Sequence, residues 1–446
     1  MRVLILSVDP WCQNNSFGNT YSNIFGKIDN VEIGHIYLLD GLPDGDKNVS
    51  RYYQISESRI IKSALRPFVK DKGVGCEVHA SDGSTNDNTT SNVSKNKKGV
   101  YDKLLSFGKK HHWRSMFIAR EIAWKLGRVN YESLFAFIED FKPDIFLLAY
   151  YYVYNSNRIA YRIKQRFDIP MVMIMMMDHY SLNRVSWNPV FWFDRFAKRA
   201  RIRTLVKESE MMYVISKRLK DELERDLRIP CQVLYKIPDE NRAFYPYLST
   251  AGTVKYLFTG NIYANRWKSL AMLSFELKRQ GGGKLDIYTS TPISKEMDAA
   301  LNIPGVSEVH KPVPQGEVIR LQNYADVLVH VEAFDKKNKS LVRCAISTKI
   351  MDYLSVGRCI LAIGPSDISS MEYLIDNDLA LYAYDECKLG EIVRKINSDH
   401  TVLDSYAAKV NEYAKKQLDA KQLRKAVYDS LQQVIDHYKH NLGEVS

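Results

Sequence analysis

Short apolar runs alternate with longer amphipathic stretches through most of the 446-residue chain. The short runs have the length and the Val, Ile and Leu content of buried strands, and the stretches between them repeat apolar residues at helical spacing. This alternation predicts an α/β protein with largely parallel sheets. The predicted strands cover residues 3–8, 31–39, 143–149, 170–177, 211–215, 233–237, 255–259, 284–288, 306–310, 327–331 and 359–363.

Breaks in this pattern divide the chain into two α/β halves of similar size. A polar stretch at 241–252 predicts a linker, which gives an N-terminal domain at 1–240 and a C-terminal domain at 253–404. The segment at about 70–110 has low hydrophobicity and predicts a mobile loop. Residues 405–446 predict a helical segment that packs back on the N-terminal domain. Ligands of such halves bind at the carboxyl ends of the strands, which predicts a site in the cleft between the domains.

The composition favours a globular protein of a reducing compartment. Hydrophobic residues make up 45% of the chain, and no apolar run reaches the roughly 20 residues that a membrane span needs. The first ten residues resemble a buried strand rather than a signal peptide. The six cysteines are scattered without C-x-x-C spacing, which argues against a zinc site or a disulfide framework. We therefore expect a cytoplasmic protein.

The chain is strongly basic, with a formal net charge of +11. Nucleic acid, an anionic membrane surface or an anionic substrate could each account for this charge. The sequence has no signature of a nucleic-acid-binding module such as an aromatic RNP motif or zinc fingers. We therefore expect an anionic substrate or an anionic membrane as partner, and no nucleic acid.

The most informative segment is 346–365, which predicts a helix, a glycine stop, a buried strand and a Gly-Pro turn. Its polar residues Ser347, Thr348 and Lys349 lie at the start of the helix, and Asp352 lies one turn further in. A helix N-terminus attracts anions because its free N–H groups and positive dipole end point outward. Two hydroxyls and a lysine there suit a diphosphate, and the aspartate suits a sugar hydroxyl. This combination predicts a pocket for a nucleotide sugar.

The same segment resembles the nucleotide-binding motif of GT-B glycosyltransferases. Residues 347–357, followed by 360–365, resemble the version S-T-K-hydrophobic-x-E/D-Y-L-x-x-G of bacterial polysaccharide enzymes of the group 1, or glycosyltransferase family 4-like, type. Three further segments resemble the family in the expected order: 213–219, 255–262 and 322–329.

The resemblance implies two Rossmann-like domains that face each other across a cleft. It also implies transfer of a sugar from a nucleotide-diphosphate sugar to a glycan or glycolipid acceptor, in cell-surface polysaccharide synthesis. The donor would be bound without a metal or other cofactor. The retaining class is favoured, in which a phosphate oxygen of the leaving group assists the acceptor.

The family's donor-binding positions can be transferred to this chain one by one. Asp352 corresponds to the acidic residue that binds the ribose, and Arg266 and Lys268 to basic residues on the phosphates. The alternative for these two is a pair of solvated residues at a helix start. Gly18 and Asn19 correspond to a loop that approaches the ligand, or form an ordinary turn. The full donor-binding set is Gly18, Asn19, Gly260, Arg266, Lys268, Glu332, Ser347, Thr348, Lys349 and Asp352.

The reacting centre is less complete in the sequence. Asp178 and His179 follow a buried strand directly and correspond to a position that contacts the sugar or acts as base. A satisfied polar pair at a strand end is the alternative. The family's first acidic residue, eight positions before the second, is here Cys344, and Glu332 in the preceding loop is a candidate substitute.

Residues 187–207 combine aromatic residues with a series of arginines and lysines. This pattern is consistent with an interfacial helix on anionic lipid, which would bring the protein to the inner face of a membrane. It is also consistent with a domain helix that has a buried aromatic face and a solvated basic face.

Two other functions remain open from the sequence. A nucleotide-sugar epimerase would share the GT-B fold but lack an acceptor. A non-catalytic nucleotide-sugar-binding scaffold is the other, and the cysteine at position 344 favours it.

Overall fold

A computed structural model of the protein describes residues 1–12, 15–65, 73–80, 114–151, 154–238 and 252–443. The strands in these residues are β1 (Arg2–Leu6), β2 (Glu32–Tyr37), β3 (Val49–Gln54), β4 (Cys76–Val78), β5 (Ile145–Ala149), β6 (Met171–Met175), β7 (Met211–Val214), β8 (Cys231–Val233), β9 (Val254–Thr259), β10 (Gly283–Tyr288), β11 (Ser307–His310), β12 (Val327–Val331), β13 (Cys359–Ile363) and β14 (Leu381–Ala383). The helices are α1 (Ser16–Ile24), α2 (Glu57–Ala64), α3 (Arg114–Leu126), α4 (Tyr131–Phe141), α5 (Tyr154–Arg166), α6 (Pro189–Lys207), α7 (Lys217–Leu227), α8 (Arg266–Gln280), α9 (Lys295–Leu301), α10 (Gln315–Tyr324), α11 (Lys336–Val342), α12 (Thr348–Val356), α13 (Ser369–Asp376), α14 (Glu386–Ser398), α15 (Thr401–Gln417) and α16 (Ala420–Gly443).

The strands form two separate sheets. In the described residues the first sheet has the order β4-β3-β2-β1-β5-β6-β7-β8, and the second has the order β11-β10-β9-β12-β13-β14. Their pairings are parallel except that of β3 with β4. Apolar clusters cover the sheets on the helical faces. The predicted α/β class with two Rossmann-like domains is confirmed.

The methionine-rich strand β6 shows why the strand predictions succeed in the interior. It lies between β5 and β7, and all of its residues are buried. A strand covered on both faces needs apolar residues at successive positions, so its sequence is a continuous apolar run. The same reasoning places β12 and β13 at the predicted residues.

One strand prediction and one loop prediction near the sheet edges differ from the structure. The strand predicted at 233–237 is instead β8, which ends at Val233, while Leu234 and Ile237 are buried without belonging to a strand. The hydrophobic pattern correctly predicted that these residues are buried, but it did not predict their conformation. Part of the predicted mobile loop at about 70–110 is also wrong, because Cys76–Val78 forms edge strand β4. The rest of that loop lies mostly outside the described residues.

The predicted helical tail is two helices, α15 and α16, rather than one. The break falls at Asp419, whose carboxylate accepts a hydrogen bond from the backbone N–H of Gln422 at 2.9 Å. Helix α16 then lies against the first half of the chain. There the Arg424 Nε donates to the backbone oxygen of Asn23 at 3.0 Å. The predicted linker at 241–252 lies almost wholly outside the described residues, so the domain boundaries stay a prediction.

Among the helices that the structure describes, none combines the length and apolarity that crossing a bilayer requires.

Candidate functional site

Three loops meet at the carboxyl edge of the second sheet. The first follows β9 and turns at Gly260 into α8, the second follows β12 at Glu332, and the third enters α12 at Ser347. Parallel strands bring the loops that follow them to one edge, which is where ligands of such sheets bind.

The closest approach in this edge is between Gly260 and Lys349. Gly260 has φ +135°, and a Cβ built there would lie 2.5 Å from the Lys349 Nζ. Only glycine therefore allows the lysine to approach this turn. The ammonium also lies 4.3 Å from the centroid of the Phe258 ring. Gly260 and Lys349 both belong to the donor-binding set predicted from the sequence, and the structure brings them together.

The ammonium of Lys349 is held in an environment that disfavours its charge. Burial, and next the nearby Arg266, lower the pKa of Lys349 to about 8. In the described part of the chain, no carboxylate lies within ion-pair distance of this lysine. The adjacent N-terminus of α12 begins at Ser347, whose side chain makes no capping hydrogen bond. A desolvated cation beside an uncapped helix start suits an anionic ligand.

Arg266 and Glu332 form a buried bidentate pair beside the lysine. The Nε and Nη2 of Arg266 each donate to a Glu332 oxygen at 2.9 Å, and the glutamate side chain is 3% exposed. Ser269 Oγ donates to the Glu332 backbone oxygen at 2.7 Å. Glu332 therefore orients Arg266. That Glu332 replaces the family's sugar-contacting acidic residue, which is absent at position 344, stays a prediction.

Asp352 is paired across the domain interface. Lys236, from the segment after β8, donates to its two carboxylate oxygens at 2.9 and 3.1 Å. The two side chains are 7% and 12% exposed. A carboxylate has lone pairs for further donors, so a ribose would have to share Asp352 with this ammonium. The ribose role stays a prediction.

Lys268 and Thr348 take more exposed positions. Lys268 lies in the first turn of α8 and is exposed. The burial of Asp335 would raise the pKa of that carboxyl, but hydrogen bonds from Asn338 and Asn265, and then the charge of Lys268, lower it. Thr348 opens α12 and is half-buried. Both roles on the phosphates stay predictions.

Asp178 lies at the carboxyl end of β6 but is fully engaged by the protein. It accepts hydrogen bonds from the backbone N–H groups of Tyr180 and Ser181, at 3.0 and 2.8 Å, and from the Ser181 hydroxyl. Arg195 and Arg343 lie 3.7 and 3.6 Å away. Burial alone would raise the pKa of Asp178, but the Ser181 hydrogen bonds and Arg195 outweigh it and the pKa is lowered. A carboxylate held this way is a weak base.

His179 is the neutral member of the pair. Burial, and next the charge of Lys198, lower the pKa of His179 to about 4, so the imidazole is uncharged near neutral pH. Its ring centroid lies 5.6 Å from that of Tyr150, which follows β5. A neutral imidazole can accept a proton from a hydroxyl, but a pKa of about 4 makes His179 a weak base as well. The base role of Asp178 or His179 stays a prediction.

A close contact with the loop after β1 explains why residue 18 is glycine. A Cβ there would lie 2.1 Å from the Cys12 backbone oxygen, and its N–H donates to Asn15 Oδ1 at 2.6 Å. Asn19 lines a cavity of about 1000 Å³ between α1 and α16. The lining includes residues 26–30, which lead into β2, so this cavity lies at the amino edge of the first sheet.

Sequence reasoning missed Arg343, which ties the two halves together beside Asp178. Its guanidinium donates to the two oxygens of Glu222 at 2.5 and 2.7 Å. The next residue, Cys344, is 1% exposed, and its backbone oxygen accepts from Ser216 Oγ at 2.8 Å. The position of the family's first acid is therefore buried at the interface.

Sequence reasoning also missed Lys236, the partner of Asp352. The sequence contained a signal for it, because Lys236 is a cation within the apolar run 233–237.

One group of potential metal ligands lies apart from these loops. Asp286, Glu308 and His310, on β10 and β11, come within metal-binding distance of one another. The Lys284 ammonium lies 3.5 Å from both carboxylates and already supplies them with positive charge. This arrangement gives no reason to place a metal there.

Comparison with known proteins gives matches at the level of structure. No family model matches the chain, and no curated protein matches it by sequence. Anabaena HepE, solved with UDP-glucose, superposes with a TM-score of 0.57 at 10% identity, over 97% of this chain and 100% of that one. A glycosyltransferase from Rickettsia africae ESF-5 gives 0.56 at 10% identity, over 97% and 98%. WaaG, a glycosyltransferase involved in lipopolysaccharide biosynthesis, gives 0.52 at 12% identity, over 96% and 98%. The chain has the GT-B fold, the fold of nucleotide-sugar-dependent glycosyltransferases.

Proposed function

We propose that the protein is a glycosyltransferase that moves a sugar from a nucleotide-diphosphate sugar to a glycan or lipid-linked acceptor. The observation that carries the proposal is the Lys349 ammonium, desolvated against the Gly260 turn at the N-terminus of α12. A diphosphate would give this lysine a direct anionic partner, because Glu332 and Asp352 act on it only from beyond ion-pair distance.

The donor is bound by groups from both halves. Lys349 and the first turn of α12, with Ser347 and Thr348, bind the diphosphate, and Arg266 and Lys268 add positive charge at the start of α8. These cations would stabilise the leaving diphosphate without a metal. Asp352, positioned by Lys236, accepts from the ribose hydroxyls.

The reacting sugar lies towards the first sheet. His179, neutral near pH 7, faces the acceptor hydroxyl if the reaction inverts the anomeric centre. If it retains the anomeric centre, a phosphate oxygen of the leaving group assists the acceptor and no strong base is needed. Asp178 then serves to hold the loop after β6 in place through Ser181 and Arg195.

The proposal extends to the acceptor and its location. The GT-B neighbours include an enzyme of lipopolysaccharide biosynthesis, and the chain carries a net charge of +11. Both support an acceptor in cell-surface polysaccharide synthesis, reached at the cytoplasmic face of a membrane.

A product assay with a panel of labelled nucleotide sugars tests this function. Each donor is incubated with the protein alone and with lipid-linked glycan extracted from a bacterial membrane. Transfer predicts nucleoside diphosphate release and a larger labelled lipid only when acceptor is present. A donor altered in its sugar without acceptor would indicate an epimerase, and donor binding with no product under either condition would indicate a scaffold.

A further inference from the structure

Helix α6 has its polar and apolar sides reversed relative to an ordinary domain helix. Its buried residues are Arg195, Ile202 and Leu205, whereas Phe193 is 78% exposed. Arg195 lies about 200° around the helix from Phe193. The expectation of a buried aromatic face with a solvated basic face is therefore wrong for the first half of this helix.

The inward arginine has a clear task. Its Nε donates to the Ser181 backbone oxygen at 2.7 Å, and Arg199 donates to the Tyr180 backbone oxygen. Arg203 donates to the Tyr180 hydroxyl at 2.9 Å. These contacts hold α6 against the loop that carries Asp178 and His179. The outward side of α6 is thereby fixed next to the cleft.

The outward side of α6 and the loop that precedes the helix expose large apolar side chains that the described residues do not cover. Trp187 is 102% exposed and Val185 is 81% exposed. We call the group the aromatic surface; it consists of Leu182, Val185, Trp187, Val190, Phe193 and Phe196. Large apolar side chains that are exposed together along one segment of the chain mark an interaction site.

The charges around the aromatic surface select the kind of partner. Residues 182–207 contain seven arginines and lysines against one acidic residue, Asp194. Six of the seven remain when the inward Arg195 is set aside. Arg203 and Lys207 are exposed further along the same helix. Tryptophan and phenylalanine beside cations are the pattern of a helix that lies in the interface of an anionic bilayer. A second copy of this basic segment would instead meet it with like charge.

We propose that the aromatic surface inserts into the interface of an anionic lipid bilayer and places the mouth of the cleft at the membrane. The inference deepens the proposed function by naming a bilayer as the partner that presents the acceptor. Its test needs no nucleotide sugar, so its failure and that of the glycosyltransferase assignment are distinguishable.

Vesicle co-sedimentation of the full chain tests the proposal. The vesicles are phosphatidylcholine alone or phosphatidylcholine mixed with phosphatidylglycerol. The double variant Trp187→Ser/Phe193→Ser removes two exposed rings, so it should keep the wild-type melting temperature. The matched control is Phe275→Ser, which removes a ring that is 65% exposed on α8.

The wild type and the control should bind the anionic vesicles, and the double variant should bind them about tenfold more weakly or worse. Raising ionic strength from about 0.1 to about 1 M should weaken binding without abolishing it, because the apolar part is not screened. Equal binding by the double variant would overturn the proposal. So would dimerisation that the two substitutions abolish in a protein that binds neither vesicle.

Discussion

The buried pair Lys236–Asp352 joins the two halves of the chain, and its removal has a calculable cost. Lys236→Met keeps the length of the side chain but removes the ammonium beside the Asp352 carboxylate, which is 12% exposed. At an effective dielectric constant of about 20, two charges about 3 Å apart attract by roughly 5 kcal/mol. Loss of one partner of such a pair typically costs about 3–5 kcal/mol.

Thermal unfolding measures this cost. For a domain of roughly 150–250 residues, each kcal/mol shifts the melting temperature by about 2–4 °C, so Lys236→Met should lower it by about 6–20 °C. The double variant Lys236→Met/Asp352→Leu should recover most of the loss, because an apolar pair leaves no charge buried.

The matched control is an exposed ion pair in the half of the chain that contains Asp352. Lys409 and Asp378 are 43% and 64% exposed, so Lys409→Met should cost less than about 1 kcal/mol. If Lys236→Met shifted the melting temperature no more than Lys409→Met, the reasoning about this pair would be refuted. Failure of the double variant to recover would refute the charge argument alone.

Three further predictions concern the site and the interface. Because the pKa of Lys349 is about 8, the ammonium is lost as pH rises through that value, and calorimetry at about pH 7 and about pH 9.5 should show nucleoside diphosphate affinity falling; equal affinities would contradict a phosphate role. Gly260→Ala should weaken the same binding by about tenfold or more, because an alanine is strained at φ +135° and its Cβ would displace the Lys349 ammonium; Gly305→Ala, at φ +74° with no atom within 4 Å of a Cβ, should not. Peptide mapping after brief alkylation should find Cys387, which is exposed, modified, and Cys344, whose pKa burial raises to about 12, unmodified until the protein unfolds; early labelling of Cys344 would show that the interface opens.

The fold was predictable where burial alone decides the sequence. Strands β6, β12 and β13 are covered on both faces, so their residues are apolar apart from His330 in β12, and their positions follow from composition. Strand β3 was missed because Ser50 and Arg51 interrupt its apolar residues near the sheet edge. Edge strands satisfy only part of this rule, and their pairing depends on partners that one sequence does not reveal.

The candidate site was predictable in its residue types but not in its pairings. The motif at 347–357 indicated an anion site, and the structure places Lys349 against Gly260 there. The partners of Glu332 and Asp352 lie 66 and 116 residues away in the chain. Periodicity carries no information about contacts at that separation. For the same reason the domain-helix alternative for α6 had the wrong buried face, since its arginines bind backbone oxygens of a loop rather than water.

Calorimetric titration of UDP, GDP, ADP and TDP into the wild type and Lys349→Met tests the central claim most directly. We predict that one of these diphosphates binds the wild type and that the variant binds it about 10- to 150-fold more weakly, the range for loss of a charged hydrogen bond of about 1.5–3 kcal/mol. The variant removes a half-buried cation that has no ion-pair partner among the described residues, so its melting temperature should not fall. Absence of binding by all four to the wild type, or equal binding by the variant, would contradict the account.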